Sequence, residues 1–179
     1  MVATVDRPRV TVVEYYPRGE ASRLFASRDP ELLLCGPSGP GKTRALLEKL
    51  HLCASKYPGM RGLIIRKTHA SLTSTALVTY QKKVLHPLDG VHFFGGNAKE
   101  APQFNYPNGS RIMVGGMDNP TKIMSSEYDM IVLNEAVELS EGDWETATTR
   151  LRNNVMSYQQ LIADCNPDQF KIGGATLPA

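Results

Sequence analysis

A chain of 179 residues, 41% of them hydrophobic, can build one domain with a real core and is too short for two ordinary ones. Its 20 Lys and Arg against 18 Asp and Glu leave a formal net charge of +2, compatible with a nucleic-acid partner but not diagnostic of one. No N-terminal signal pattern and no apolar run of membrane-span length is present, so a soluble cytosolic protein is expected. Cys35, Cys53 and Cys165 are widely spaced, each in an apolar segment; they are expected as buried free thiols in a reducing compartment, not as a disulfide or zinc framework.

Glu31-Leu32-Leu33-Leu34-Cys35 is the first apolar run, expected as a buried strand. It enters Gly36-Pro37-Ser38-Gly39-Pro40-Gly41-Lys42-Thr43, which fills every fixed position of the phosphate-loop pattern G-x-x-x-x-G-K-S/T. The chemistry dictates these residue types. Glycines let backbone N–H groups turn toward a polyphosphate, and the following helix points its positive end at the anion. Lys42 is placed to reach the β- and γ-phosphates, and the Thr43 hydroxyl to take a position on Mg²⁺. Arg44 to Tyr57 carries Ala45, Leu46, Leu50 and Cys53 on one stripe and is the expected helix. Strand, loop and helix in this order point to a nucleoside-triphosphate site.

Gly62 to Arg66 is a second buried strand, and Ser71 to Leu85 an expected helix that Thr73, Thr75, Val78 and Thr79 weaken. Val91 to Phe94 is short. Phe104-Asn105-Tyr106 runs through Pro107-Asn108-Gly109-Ser110 into Arg111-Ile112-Met113-Val114, and Asn-Gly between β-prone runs signals a hairpin, expected as an antiparallel insertion at the sheet edge. Asp129 to Leu133 is a third central strand, Asp143 to Arg152 a helix with an acidic first turn, and Gln160 to Asp164 a fourth central strand. The alternation predicts an α/β P-loop NTPase with a mostly parallel central sheet and helices on both faces.

Two strand ends carry further chemistry. Asn134-Glu135-Ala136 follows the third strand, where such enzymes place metal and water groups. Glu135 is the natural general base or water-positioner. Asn134 stands where an Asp usually holds Mg²⁺ or its water shell; its amide oxygen can accept from a metal-bound water but brings no charge. Thr43, Asn134 and Glu135 are therefore the expected metal groups, partly through water. Cys165-Asn166-Pro167 follows the fourth strand; Asn166 has the donor and acceptor to sense a γ-phosphate, while Asn-Pro taken alone is more simply an ordinary turn. His51, His69, His86 and His92 show no ligand spacing.

From about Tyr15 to Asp168 the chain resembles the ATPase domain of the large terminase subunit of tailed bacteriophages. The resemblance rests on Tyr16-Pro17-Arg18-Gly19, the phosphate loop, Gly62-Leu63-Ile64-Ile65-Arg66-Lys67-Thr68, and Gly115-Gly116-Met117-Asp118 with Lys122-Ile123-Met124-Ser125-Ser126. It continues in Asn134-Glu135-Ala136, Thr149-Arg150-Leu151-Arg152 and Cys165-Asn166-Pro167. It implies an additional strand between the two ATPase strands, a homo-oligomeric ring around double-stranded DNA, and contacts with the portal or prohead and the small terminase subunit in the infected host's cytoplasm.

By the same resemblance, Lys42 and Thr43 hold ATP and Mg²⁺, Glu135 activates water, Asn166 couples hydrolysis to motion, and Arg18 helps hold the nucleotide base region. Lys122, Arg150 and Arg152 are candidates for a cation acting on a neighbour's site, with surface salt bridges as the plainer alternative. Arg66 and Lys67 could contact DNA or phosphate, or simply be solvated. The family usually continues through a lid and an RNase H-like nuclease, whereas this chain ends at Ala179. The expectation is an ATPase domain over 1–168, a short divergent tail over 169–179, and no nuclease activity. The implied function is Mg²⁺-dependent ATP hydrolysis driving DNA packaging. The alternatives are a hydrolysis-poor nucleotide-binding or oligomerisation module and another P-loop enzyme, helicase-like or a small-molecule kinase.

Overall fold

The computed structural model describes residues 14–166 except Pro40, and the backbone of residues 171–172 and 175–176. Pro40 of the phosphate loop, Pro167, Asp168 and the remaining tail positions lie outside the described residues. Seven strands form one sheet: β1 (Glu31–Cys35), β2 (Arg61–Arg66), β3 (His92–Phe94), β4 (Gln103–Asn105), β5 (Arg111–Gly116), β6 (Met130–Leu133) and β7 (Gln160–Cys165). Their spatial order is β1-β7-β6-β2-β5-β4-β3. The first five in that order are mutually parallel, and β4 and β3 close the far side antiparallel. β7 lies between β1 and β6, the inserted strand that the resemblance implies. β8 (Lys171–Ile172) and β9 (Ala175–Thr176) pair separately.

The helices are α1 (Glu20–Ala26), α2 (Lys42–Lys56), α3 (His69–Ser74), α4 (Ala76–Thr79), α5 (Thr121–Met124) and α6 (Glu141–Thr148). Alternation along the central strands sends Ile64, Val114, Val132 and Ile162 to one face, under Leu46, Leu47 and Leu50 of α2 with Leu24 and Leu72. Leu63, Ile65, Ile131, Leu133 and Leu161 face the other side, under Ile123, Met124, Tyr128 and Ala147. Helical segments thus cover both faces, and the strands buried on both sides are the near-continuous apolar runs seen in the sequence. Among the described residues no helix is long and apolar enough to cross a membrane.

Several expectations change in detail. β1 is not buried: it is the outermost strand on its side, with Leu32, Leu33 and Leu34 half-buried and Glu31 and Cys35 exposed. The Asn108-Gly109 hairpin forms, with Gly109 at φ 84°, but its second strand β5 is also the parallel neighbour of β2, so only β4 and β3 are antiparallel additions. The expected helix over 71–85 breaks. The Thr75 hydroxyl donates to Ser71 O at 2.7 Å and Thr73 and Ser74 also bond backward, so hydroxyls compete with the helical ladder. Thr75 leaves helical geometry at φ −125° and ψ −83°, and after α4 the chain widens into a π turn over Tyr80–Val84.

α6 starts earlier than expected, at a capping box of Ser140 and Asp143. It stops before Arg150, whose carbonyl accepts from Tyr128 N at 2.8 Å. The cysteines are also corrected. Parallel register sets Cys35 directly opposite Cys165 and the two form a disulfide, while Cys53 alone stays a buried free thiol.

Two buried polar groups brace the frame. Lys49 on α2 donates to Leu24 O (2.8 Å), Ser27 O (2.7 Å) and Gln160 Oε1 (2.5 Å), tying the end of α1 to the start of β7. Burial lowers its pKa to about 8. Asp129, just before β6, accepts from the backbone N–H of Arg61, Val155 and Met156 and from Asn153 Nδ2 at 2.7–3.0 Å. The Gly115-Gly116 pair is structural: a Cβ on Gly116 would stand 2.2 Å from His69 N and 2.7 Å from Thr68 C, so only glycine lets β5 approach the start of α3.

Candidate nucleotide site

The parallel order delivers three chain segments to one end of the sheet. β1 ends in the phosphate loop, β7 in Cys165-Asn166 and β6 in Asn134-Glu135. In the loop, Gly39 has φ 102° and Gly41 φ 79°, a left-handed backbone that L side chains disfavour. α2 begins at Lys42, so its unpaired N–H groups and positive end face the same place. Lys42 Nζ donates to Gly36 O at 2.8 Å, Pro37 O at 2.7 Å and Asn166 Oδ1 at 3.2 Å. The loop lysine therefore touches the strand-end asparagine, two residues 124 positions apart in sequence.

Beside them is a network that the motif did not announce. The Thr43 hydroxyl donates to Asp164 Oδ2. Asn134 Nδ2 donates to Asp164 Oδ1 (3.1 Å) and Oδ2 (3.3 Å) and lies 3.4 Å from Thr43 Oγ1. Glu135 N donates to Asp164 Oδ1 at 2.8 Å. Asn134 and Asp164 are each only 2% exposed, and Asn134 Oδ1 is buried with no hydrogen-bond partner among the described residues. Thr43 and Asn134 thus converge, and Asp164, which sequence reasoning passed over, joins them. The available signal was a carboxylate ending the apolar strand Leu161-Ile162-Ala163-Asp164, beside a position where Asn replaces Asp.

Glu135 sits at φ 54° and ψ 62°, left-handed for a non-glycine residue, in conformation held by its N–H bond to Asp164. Its carboxylate accepts no hydrogen bond among the described residues. Burial first, then the negative charge of Asp164, raises its pKa; Arg66 and Lys42 oppose the shift and Glu138 adds to it. Arg66, at the end of β2, is held in a fork by Glu138, with Nε–Oε2 at 3.0 Å and Nη2–Oε1 at 2.7 Å, and also reaches Thr75 Oγ1 at 2.9 Å. Lys67 pairs with Asp143 at 2.9 Å.

The remaining expected residues lie apart. Arg18 is exposed, on a segment whose Tyr15 and Pro17 line a groove of about 640 Å³ with Arg44 and Glu48 of α2. Lys122 donates to Asn97 O at 2.6 Å and lines a small polar hollow with Arg61 and Arg111, which begin β2 and β5. Arg152 pairs with Glu127 at 2.9 Å, and Arg150 Nε is buried without a partner among the described residues. All three lie toward the amino ends of the strands, away from the loop of their own chain.

The sequence profile of the phage terminase large subunit matches residues 31–171. No curated protein matches. Among solved structures, the large terminase of the thermophilic bacteriophage D6E superimposes with a TM-score of 0.65 at 14% identity, over 80% of this chain and 35% of that one. A D6E large terminase in complex with ADP gives 0.60 at 14% identity, over 76% and 34%. The large terminase ATPase domain of Thermus phage P74-26 gives 0.63 at 16% identity, over 83% and 65%. At these identities the likeness is one of fold, and the present chain spans about a third of the D6E protein.

Proposed function

The chain belongs to the phage terminase large-subunit family, and on that premise we propose that it is the ATP-hydrolysing core of a motor that packages double-stranded DNA. The observation carrying this reading is the meeting of Lys42, Thr43, Glu135 and Asn166 at the carboxyl ends of three adjacent parallel strands. The loop N–H groups and the end of α2 cradle the polyphosphate, and the Lys42 ammonium moves from its carbonyl partners to the β- and γ-phosphate oxygens. Thr43, Asn134 and Glu135 are the groups for Mg²⁺, partly through water. The Thr43 hydroxyl and the buried Asn134 Oδ1, which has no partner among the described residues, suit a hydrated hard cation. When bound, Mg²⁺ supplies charge neutralisation on the β- and γ-phosphates.

Glu135 takes the proton of the attacking water, for which its raised pKa suits it better than an exposed carboxylate. Asn166, through its 3.2 Å contact with Lys42, transmits the presence or loss of the γ-phosphate to β7. Arg18 lies on the segment proposed to hold the base region. Lys122, Arg150 and Arg152, far from their own loop, are the candidates for acting on a neighbour's site in a ring. DNA, the portal or prohead and the small terminase subunit are the proposed partners, in the infected cell's cytoplasm. The ATPase domain is proposed over 1–168, with no nuclease chemistry assigned to these residues. The test is phosphate release from Mg-ATP by this chain and by Lys42→Ala. Loss of about a hundredfold or more in the variant supports the reading, by analogy with removal of one transition-state donor; equal rates refute it.

A further inference from the structure

Phosphate-loop NTPases hold their magnesium between the loop hydroxyl and an acidic strand-end residue. In this chain the position after β6 carries Asn134, which has no charge to offer. The charge is nevertheless present one strand away. Asp164 of β7 accepts the Thr43 hydroxyl, both of its oxygens lie within 3.3 Å of Asn134 Nδ2, and Glu135 N reaches it at 2.8 Å.

We propose that Asp164 is the carboxylate of the Mg²⁺ site, taking from β7 the part that an acidic residue at the end of β6 plays elsewhere. The inference rests on the nucleotide-hydrolysis reading above and adds a residue to it. Three features carry it. Asp164 is a carboxylate 2% exposed that forms no ion pair within 4 Å among the described residues; its hydrogen-bond donors are a hydroxyl, an amide and a backbone N–H, all neutral. A buried charge so placed calls for a cation. The loop hydroxyl that belongs on the metal is bonded to this carboxylate and, among the described residues, to no other. Asn134 Oδ1, also buried, is left without a donor among the described residues, and a water bound to a cation held by Thr43 and Asp164 would supply one. The role has moved because β7 stands between β1 and β6, so its end is nearer the loop than the end of β6.

The test measures metal binding, not turnover. Mn²⁺ binding in the presence of ADP is followed by electron paramagnetic resonance, and ADP affinity is measured with and without Mg²⁺, for the unaltered chain, Asp164→Asn and the double variant Asn134→Asp/Asp164→Asn. Asparagine keeps an oxygen for the Glu135 N–H, turns its amide N–H toward the Thr43 hydroxyl, which then accepts instead of donating, and removes the charge. Asp164→Asn should bind Mn²⁺ at least about tenfold more weakly, with metal-free ADP affinity unchanged. The double variant, which returns the carboxylate to β6, should recover most of the loss. Undiminished Mn²⁺ binding by Asp164→Asn overturns the inference, as does a loss that the folded double variant does not recover. If Asp164→Asn does not fold, the double variant decides alone: Mn²⁺ binding near that of the unaltered chain supports the exchange, and a tenfold loss overturns it. Absence of ADP binding by the unaltered chain would instead refute the hydrolysis reading, and this inference with it.

Discussion

Replacing Glu135 by Gln isolates the proposed base. The side chain keeps its size, and its carboxylate accepts no hydrogen bond among the described residues. What holds the residue is its backbone N–H, 2.8 Å from Asp164 Oδ1, which the substitution leaves in place. Stability should therefore change by no more than about 0.5 kcal/mol, and nucleotide affinity should be retained. Loss of a general base slows the chemical step by about 10²–10⁴-fold, about 2.7–5.4 kcal/mol of barrier. The pH profile adds a second signature. Burial and the neighbouring Asp164 charge raise the Glu135 pKa, and a base acts deprotonated, so the rate falls as pH drops through that raised value. The Gln variant should lack this acidic limb. Single-turnover hydrolysis of labelled ATP with protein in excess, across the acid-to-neutral range, reads both. A rate loss under tenfold, or an equal loss of nucleotide affinity, would refute the assignment.

Without reductant, thiol titration of the denatured chain should find Cys53 alone, and all three cysteines after reduction; three reactive thiols at the outset would contradict the Cys35–Cys165 bond. Gly116→Ala places a Cβ 2.2 Å from His69 N and should lower stability by about 1–3 kcal/mol or more in urea unfolding; an unchanged midpoint would contradict the close packing. Lys49, with its folded pKa at about 8 against an ordinary 10.5, binds fewer protons folded than unfolded between those values. Its burial penalty is present in full below pH 8 and is relieved as pH rises toward 10.5, so the melting temperature relative to Lys49→Met should climb over that window. A flat difference would show the ammonium to be solvated.

The segments legible in the sequence are those whose neighbours impose a pattern locally. Leu63-Ile64-Ile65 and Leu161-Ile162-Ala163 are buried on both faces, so their strands read as unbroken apolar runs, and Asn108-Gly109 encodes its turn in two residues. The phosphate loop is likewise a contiguous demand on backbone freedom. What escaped depends on register between distant strands. Cys35 and Cys165 become neighbours only because β1 and β7 pair in parallel. Asp164 gains its meaning from Thr43, Asn134 and Glu135, on the other sides of two strand pairings; within its own segment it looks like the polar end of a strand. The break at Thr75 was half visible, since its hydroxyl's competition with the helix is local, but the Arg66 fork that uses it is not.

The central claim is that this chain completes an ATP-hydrolysing site, and the most direct measurement is steady-state phosphate release from Mg-ATP as protein concentration rises, beside Glu135→Gln. The account predicts turnover that grows more steeply than linearly, as subunits contribute cations to one another's sites, and that disappears in the variant. Tight nucleotide binding with no turnover above that of Glu135→Gln at any concentration would contradict it.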